Sequence, residues 1–283
     1  MNPPATSASI LVVQGPEATA LRAAALADMC GAAAPEAIGT AWRLRGATRQ
    51  EGVAAWCEAQ HLDHAWVPEG RRFADLRLLA MDMDSTLITI ECIDEIGGFM
   101  NKKNEIAAIT AQAMRGEIDY PASLRQRVAL LAGLSEDILE DVYDDKLRLS
   151  PGAETLVAAC RKQGIKLLLV SGGFTFFTER LKERLGLDET LSNMLEIEDG
   201  KLTGRVLGNI VDADAKAAKF RQLAQRMGAK REQTAAIGDG ANDLKMMAEA
   251  GVSVAYRAKP VVRAQATHSL NYAGLDGAIN LFT

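Results

Sequence analysis

Short apolar runs recur along the last two thirds of the chain, each closed by a glycine- or aspartate-rich turn that opens a helical pattern. The first covers residues 76–83. The second covers 165–170 and ends in Ser171-Gly172-Gly173. The third, Thr234-Ala235-Ala236-Ile237, ends in Gly238-Asp239-Gly240, and a fourth, Val252-Ser253-Val254-Ala255, follows Gly251. Runs this uniformly apolar bury both faces, and their alternation with helices predicts a doubly wound, Rossmann-like parallel sheet in an α/β protein. Ligands of such sheets bind at the carboxyl ends of the strands, where the three turns fall.

Between the first and second runs the pattern changes. Residues 93–149 carry helical periodicity over 95–114, 123–131 and 135–143, with almost no strand character. A crossover this long predicts an inserted helical cap over the strand ends, able to act as a lid. Residues 1–73 differ again. They are rich in alanine, with strand-like stretches at 9–13, 42–44 and 64–67 and helical stretches at 17–29 and 50–58. The polar break at residues 68–72 then suggests a small N-terminal α/β domain over 1–73, a core over 74–92 and 150–283, and the cap over 93–149. Trp42, Trp56 and Trp66 all fall in the small domain and are expected to form its core.

Composition narrows the function. Hydrophobic residues make up 48% of 283 and charged residues 24%, as in a globular chain with a sizeable core. A net charge of −5 gives no basic face for nucleic acid, so a phosphate ligand would need positive charge concentrated locally. Four cysteines (Cys30, Cys57, Cys92, Cys160) have neither zinc-ligand nor disulfide-framework spacing and read as reduced, structural thiols. No apolar run approaches the roughly 20 residues of a membrane span. The start at residues 1–5 lacks the basic and apolar stretches of a signal peptide, so a cytoplasmic location is expected.

The strongest chemical signal is Asp82-Met83-Asp84-Ser85-Thr86, at the end of an apolar strand. Two carboxylates so close repel unless something neutralises them, and hard carboxylate oxygens suit Mg²⁺. Asp is also common in solvated turns, so this motif alone does not decide the matter. Gly238-Asp239-Gly240-Ala241-Asn242-Asp243 adds Asp239 and Asp243 at the same sheet edge, and four carboxylates gathered there make a bland reading of both motifs improbable. Ser171-Gly172-Gly173, opening a helical stretch, offers a hydroxyl and backbone N–H groups to an anion, though Ser is also an ordinary helix cap. Lys216 and Lys219 are both candidates for a cationic partner, and spacing does not separate them.

These motifs, in this order, resemble those of the haloacid dehalogenase-like hydrolases and, among them, the phosphoserine phosphatases. The resemblance runs from about Leu76 to Leu270. The small domain lies outside it and is similar at most in size and position to a regulatory-type domain carried by some members. The resemblance implies Asp82 as nucleophile and Asp84 as general acid/base. It implies Mg²⁺ held by Asp82, the backbone carbonyl of Asp84, and Asp239, with Asp243 supporting them. Ser171, Gly172, Lys216 and Asn242 would hold the phosphoryl oxygens. Glu91, nine residues after the nucleophile, would meet the amino group of phosphoserine. Arg127, in Ser123-Leu124-Arg125-Gln126-Arg127-Val128, would meet its carboxylate. A zwitterionic substrate needs one anionic and one cationic partner, and Arg suits a carboxylate through bidentate pairing. Met114 and Tyr120 match apolar lid positions, Tyr120 standing where an aromatic without a hydroxyl can occur.

Two other readings compete. A phosphatase or phosphomutase for a sugar phosphate would keep the aspartates but would have no use for the Glu91/Arg127 pair. A non-catalytic amino-acid-sensing protein would have little reason to retain both Asp82 and Asp84. The partner expected is therefore the small molecule phosphoserine, with no nucleic acid and no membrane. The small domain is open to two readings, a ligand site of its own or a homodimer contact, and the sequence does not separate them.

Overall fold

The computed structural model describes residues 9–283, so residues 1–8, including the start at 1–5, lie outside the described residues. The small unit consists of β1 (Ser9–Gln14), α1 (Ala20–Cys30), β2 (Glu36–Ile38), β3 (Ala41–Leu44), α2 (Val53–Ala59) and β4 (Asp63–Pro68). Its four strands run antiparallel in the order β2-β3-β1-β4. Thr19 caps α1 through its hydroxyl and Gly31, at φ 69°, ends it in the left-handed conformation glycine tolerates best.

Strand alternation explains why β1 is apolar throughout. Leu11 and Val13 face the helices, packing with Leu26, Cys30, Val53 and Cys57. Val12, with Ala65 and Val67, belongs instead to the large core cluster that contains Leu275, Leu281 and Phe282. The small sheet is thus covered on both faces, once by its own helices and once by the end of the chain. The expectation that the three tryptophans form its centre is corrected. Trp42, Trp56 and Trp66 are half-buried at the margin of a core built from smaller side chains. The indole N–H of Trp42 donates to the carbonyl of Ala18 at 3.0 Å, a partner that a fully apolar centre would not offer.

The main sheet begins at β5 (Leu78–Met81) and the chain then passes into the cap: α3 (Cys92–Gly98), α4 (Lys103–Met114), α5 (Tyr120–Ala129) and α6 (Asp137–Asp141). The single helix expected over 95–114 is two, separated by a turn in which Asn101 has φ 57°. The chain returns through α7 (Ala153–Gln163), β6 (Lys166–Phe174), α8 (Thr175–Leu185), β7 (Glu189–Glu198), β8 (Lys201–Leu207), α9 (Ala213–Arg226), β9 (Thr234–Gly238), α10 (Leu244–Glu249), β10 (Val252–Tyr256) and β11 (His268–Leu270). Strand order is β11-β10-β9-β5-β6-β7-β8, parallel except for β8, which runs antiparallel to β7. Leu79, Met81, Leu167, Leu169 and Ile237 bury on one face, and Leu78, Ala80, Leu168, Val170 and Ala236 on the other.

The β7–β8 hairpin was not anticipated, although Asp199-Gly200 between two alternating runs is a hairpin dipeptide. Both residues take positive φ, 50° and 74°. The hairpin reaches the cap. Gly133 N–H donates to Leu202 O at 2.8 Å and Leu202 N–H to Leu134 O at 2.9 Å. Because β6 and β9 flank β5 on opposite sides, the chain reverses its winding direction at β5. That topological switch point is where a crevice opens at the strand ends.

Candidate active site

Asp82 immediately follows β5, and its carboxylate is almost fully buried. Asp239 follows β9, and Asp243 closes the single helical turn Ala241–Asp243 beyond it. Gly238 permits this turn, since a Cβ there would stand 2.6 Å from the Cβ of Asp243. Gly240 N–H donates to Asp243 Oδ2 at 3.1 Å, and Thr86, in the turn after β5, donates its hydroxyl to Asp239 Oδ1 at 3.0 Å.

Asp212 caps α9 by accepting from Ala215 N–H at 2.9 Å, which fixes the first turn of that helix. Lys216 therefore points into the strand ends. It is 1% exposed, and its ammonium donates to Asp82 Oδ1 at 2.6 Å and to Asp243 Oδ1 at 2.8 Å. Lys219, the other candidate, pairs instead with Glu189.

The two aspartates of the first motif part company. Asp84 is not paired with Lys216, and its carboxylate accepts instead from Cys92 N–H at 2.9 Å and from Ser171 Oγ at 3.3 Å. Ser85, directly after Asp84, takes φ 56°, a left-handed turn. The three carboxylates that converge, with one oxygen each inside 4.8 Å of the others, are Asp82, Asp239 and Asp243.

Ser171 and Gly172 also differ from expectation. β6 runs on through both, and α8 starts only at Thr175, so they form an irregular strand end rather than a helix N-terminus. The β6–β7 register breaks between Val170 and Phe174, a device that re-aims backbone beside functional sites. Gly173 N–H donates to Ser171 Oγ at 2.8 Å. Asn242 is half-buried on the Asp239 turn, folded against Gly240.

Glu91 accepts from Ser85 Oγ at 2.7 Å. Arg127 lies half-buried on α5, its Nε donating to Ser123 O at 3.4 Å, with its charge felt by Asp94 and Tyr120. Among the described residues Glu91 and Arg127 thus bond to Ser85 and Ser123 rather than to each other. Met114 is 62% exposed beside Lys259, and so does not line the carboxylate cluster. Sequence reasoning gave no role to Thr86, to the buried Asn193, or to the hydroxyl of Tyr120. Thr86 stands in the aspartate motif and was legible. Asn193 and the Tyr120 hydroxyl have no local signal, because they act across the fold.

Electrostatics mark this region as strained. Burial pushes Asp82 well above the carboxylate range, the Asp243 carboxylate adds to it, and Lys216 opposes. Burial raises Asp84, although the N–H of Cys92 resists. Asp239 rises to about 6 through burial and then through Asp243. Burial pulls Lys216 down, but Asp243 and Asp82 together outweigh it and hold the ammonium charged. Glu91 presents an exposed edge, yet protein packed around its carboxyl and then the Asp84 charge push it up to about 7. Three converging carboxyl groups, Asp82 and Asp243 buried and Asp239 half-buried, face one ammonium, so their full ionisation leaves two negative charges in excess. An all-oxygen donor set with that surplus fits a hard divalent cation.

A model of the haloacid dehalogenase-like hydrolases matches residues 79–248. A curated phosphoserine phosphatase of Polaromonas sp. (strain JS666) is 54% identical over 215 residues, 74% of this chain and 91% of that protein. The unliganded crystal structure of a probable phosphoserine phosphatase from Vibrio cholerae superposes with a TM-score of 0.83 at 39% identity, over 97% of this chain and 86% of that one. A HAD family hydrolase from Salmonella enterica serovar Typhi gives a TM-score of 0.88 at 32% identity, over 97% and 98%. Both superpositions include the small N-terminal sheet. Fold, strand-end carboxylates and relatives agree: the chain belongs to the haloacid dehalogenase-like hydrolases, in the group whose curated members are named phosphoserine phosphatase.

Proposed function

We propose that the chain hydrolyses O-phospho-L-serine to L-serine and phosphate through an aspartyl-phosphate on Asp82, in serine biosynthesis in the cytoplasm. The observation that carries the chemistry is the buried Lys216 ammonium held between Asp82 and Asp243 at the switch point, with Asp84 and Ser171 alongside. The substrate follows from the relatives and from a carboxylate, Glu91, and a guanidinium, Arg127, available to a zwitterion. Residues 1–73, the core over 74–92 and 150–283, and the cap over 93–149 act as three units in this reading.

Mg²⁺ would be held by Asp82, the backbone carbonyl of Asp84 and Asp239, with Asp243 in support. When bound it would supply positive charge toward the phosphoryl oxygens and neutralise the carboxylate excess. The Lys216 ammonium, the Gly172 N–H, the Ser171 hydroxyl and Asn242 orient the phosphoryl group. Their positive ends offset the repulsion between a phosphate dianion and the Asp82 carboxylate. Asp82 Oδ forms a bond to phosphorus as the bond to the serine oxygen breaks. Asp84, whose proton affinity burial raises, delivers a proton to that leaving oxygen. Asp84 then takes a proton from a water whose oxygen attacks the same phosphorus, releasing phosphate and restoring Asp82. The cap excludes bulk water during the first step.

The test is phosphate release from L-phosphoserine with Mg²⁺ or with excess EDTA, beside sugar phosphates and phosphoglycolate. A strong, Mg²⁺-dependent preference for phosphoserine is expected. Arg127→Ala should raise KM for phosphoserine at least about tenfold and for an aryl phosphate far less, because only one of them carries a carboxylate. Equal effects on both would overturn the substrate assignment. Sedimentation of the full chain tests the homodimer.

A further inference from the structure

The carbonyl of Gly172 accepts two side-chain hydrogen bonds from opposite parts of the molecule. Asn193, on β7 and 1% exposed, donates its amide N–H at 2.8 Å, while its carbonyl accepts from Val211 N–H at 2.8 Å. Tyr120, the first residue of α5 in the cap, donates its hydroxyl at 3.1 Å. The interrupted β6–β7 register leaves this carbonyl to side chains, and a carbonyl has two lone pairs to fill. One donor is permanent, because Asn193 and Gly172 are both in the core. The other crosses from cap to core and breaks whenever the cap lifts.

We propose that Tyr120 is a positioning residue that latches the cap onto the Gly172 carbonyl, so that closure and the geometry of the phosphate-binding turn are set together. Several features support it. Asp119 accepts from Ala122 N–H at 2.7 Å and Pro121 occupies the first turn, so the start of α5 is rigid and the Tyr120 ring is aimed. Contact at Gly172 is close: a Cβ there would stand 2.1 Å from the Tyr120 hydroxyl oxygen. Any side chain at 172 would hold the cap off. Burial pushes the Tyr120 phenol up to about 12, so it stays a donor across the neutral range. Opening is inexpensive, since Asn193 still satisfies the carbonyl after Tyr120 leaves. The catalytic consequence rests on the phosphatase reading above, in which Gly172 holds a phosphoryl oxygen.

Tyr120→Phe removes the hydroxyl and nothing else. Amide hydrogen exchange of the intact chain, without substrate, should quicken about three- to tenfold over residues 120–129 while residues 9–68 stay unchanged. KM for phosphoserine should rise by a similar factor with kcat changed less than about twofold, a split that general loss of structure would not produce. Unchanged exchange over 120–129 together with an unchanged KM would overturn the latch. A wild-type chain inactive on phosphoserine would sink the substrate reading instead, and the exchange comparison would still judge the latch.

Discussion

Two buried sets of carboxylates lie at different ends of this molecule and are treated in opposite ways. Asp63, at the junction of the small sheet with the core, is 3% exposed and accepts from the N–H groups of Asn271, Tyr272 and Ala273 at 2.7, 3.0 and 2.8 Å. Around it Gln14 bonds Gly277 O and Asn280, and His61 meets the Tyr272 ring edge-on. Its charge is spread over one loop, and no other carboxylate crowds it. At the strand ends Asp82, Asp239 and Asp243 converge, Asp82 and Asp243 share the Lys216 ammonium, and the Asp243 charge adds to burial in raising both Asp82 and Asp239. A carboxylate that serves structure has its lone pairs filled by backbone. On the proposed reading the strand-end carboxylates serve chemistry, and their excess of charge is what a cation and a phosphoryl group would use.

Substitution should separate the two most sharply. Asp82→Asn is expected to lower kcat by at least about a thousandfold while leaving thermal stability intact or higher, since it relieves buried like charge. Asp63→Ala should do the reverse, costing about 3–5 kcal/mol in a denaturant titration by stranding three N–H groups, one buried and two part-buried, with near-normal kcat per folded molecule. Full activity in folded Asp82→Asn, or an Asp63→Ala chain as stable as the parent, would erase the contrast.

The junction also has a titratable member. His268 Nε2 lies 3.1 Å from Arg71 Nη1, and burial, followed by the Arg71 charge, lowers its pKa from 6.5 to about 4. The fold therefore prefers the neutral ring. Its contribution is fully present above pH 6.5 and is lost as the pH falls from there to about 4, amounting to about 3 kcal/mol at most. Carboxylates at the strand ends with raised pKa change in the opposite sense over the same range, so the readout is a difference. His268→Gln, which can still accept from Arg71, should be less acid-sensitive than the parent between pH 6.5 and 4, and parallel stability curves would refute this.

A smaller effect concerns the cation. Mg²⁺ at about a hundred times its dissociation constant should stabilise the parent by about 2.7 kcal/mol, seen as a rise in Tm. Asp239→Asn should lose most of that rise, and Asp63→Ala should keep it. A Tm indifferent to Mg²⁺ in the parent would argue against a divalent site among these carboxylates.

Much of this architecture was legible because period and position coincide. The strands β5, β6, β9 and β10 are short apolar runs, and their terminal turns carry Asp82, Ser171 and Asp239 to one edge by topology alone. What escaped depended on contacts through space. β7 and β8 alternate polar with apolar residues, so their burial is one-sided and their signal weak. The partners of Asp84, Cys92 N–H and Ser171 Oγ, stand 8 and 87 residues away along the chain. Lys216 and Lys219 are separated only by which face of α9 meets the strand ends. The convergence of Tyr120 and Asn193 on one carbonyl joins positions 73 residues apart that no local pattern connects.

The central claim, that turnover passes through a phosphoryl group on Asp82, is tested most directly by acid quenching the enzyme during turnover of phosphoserine with Mg²⁺ and mapping the peptides by mass spectrometry. The account predicts a transient phosphoryl adduct on the peptide containing Asp82, absent in Asp82→Asn. Turnover with no adduct on that peptide, or an adduct that persists in Asp82→Asn, would contradict it.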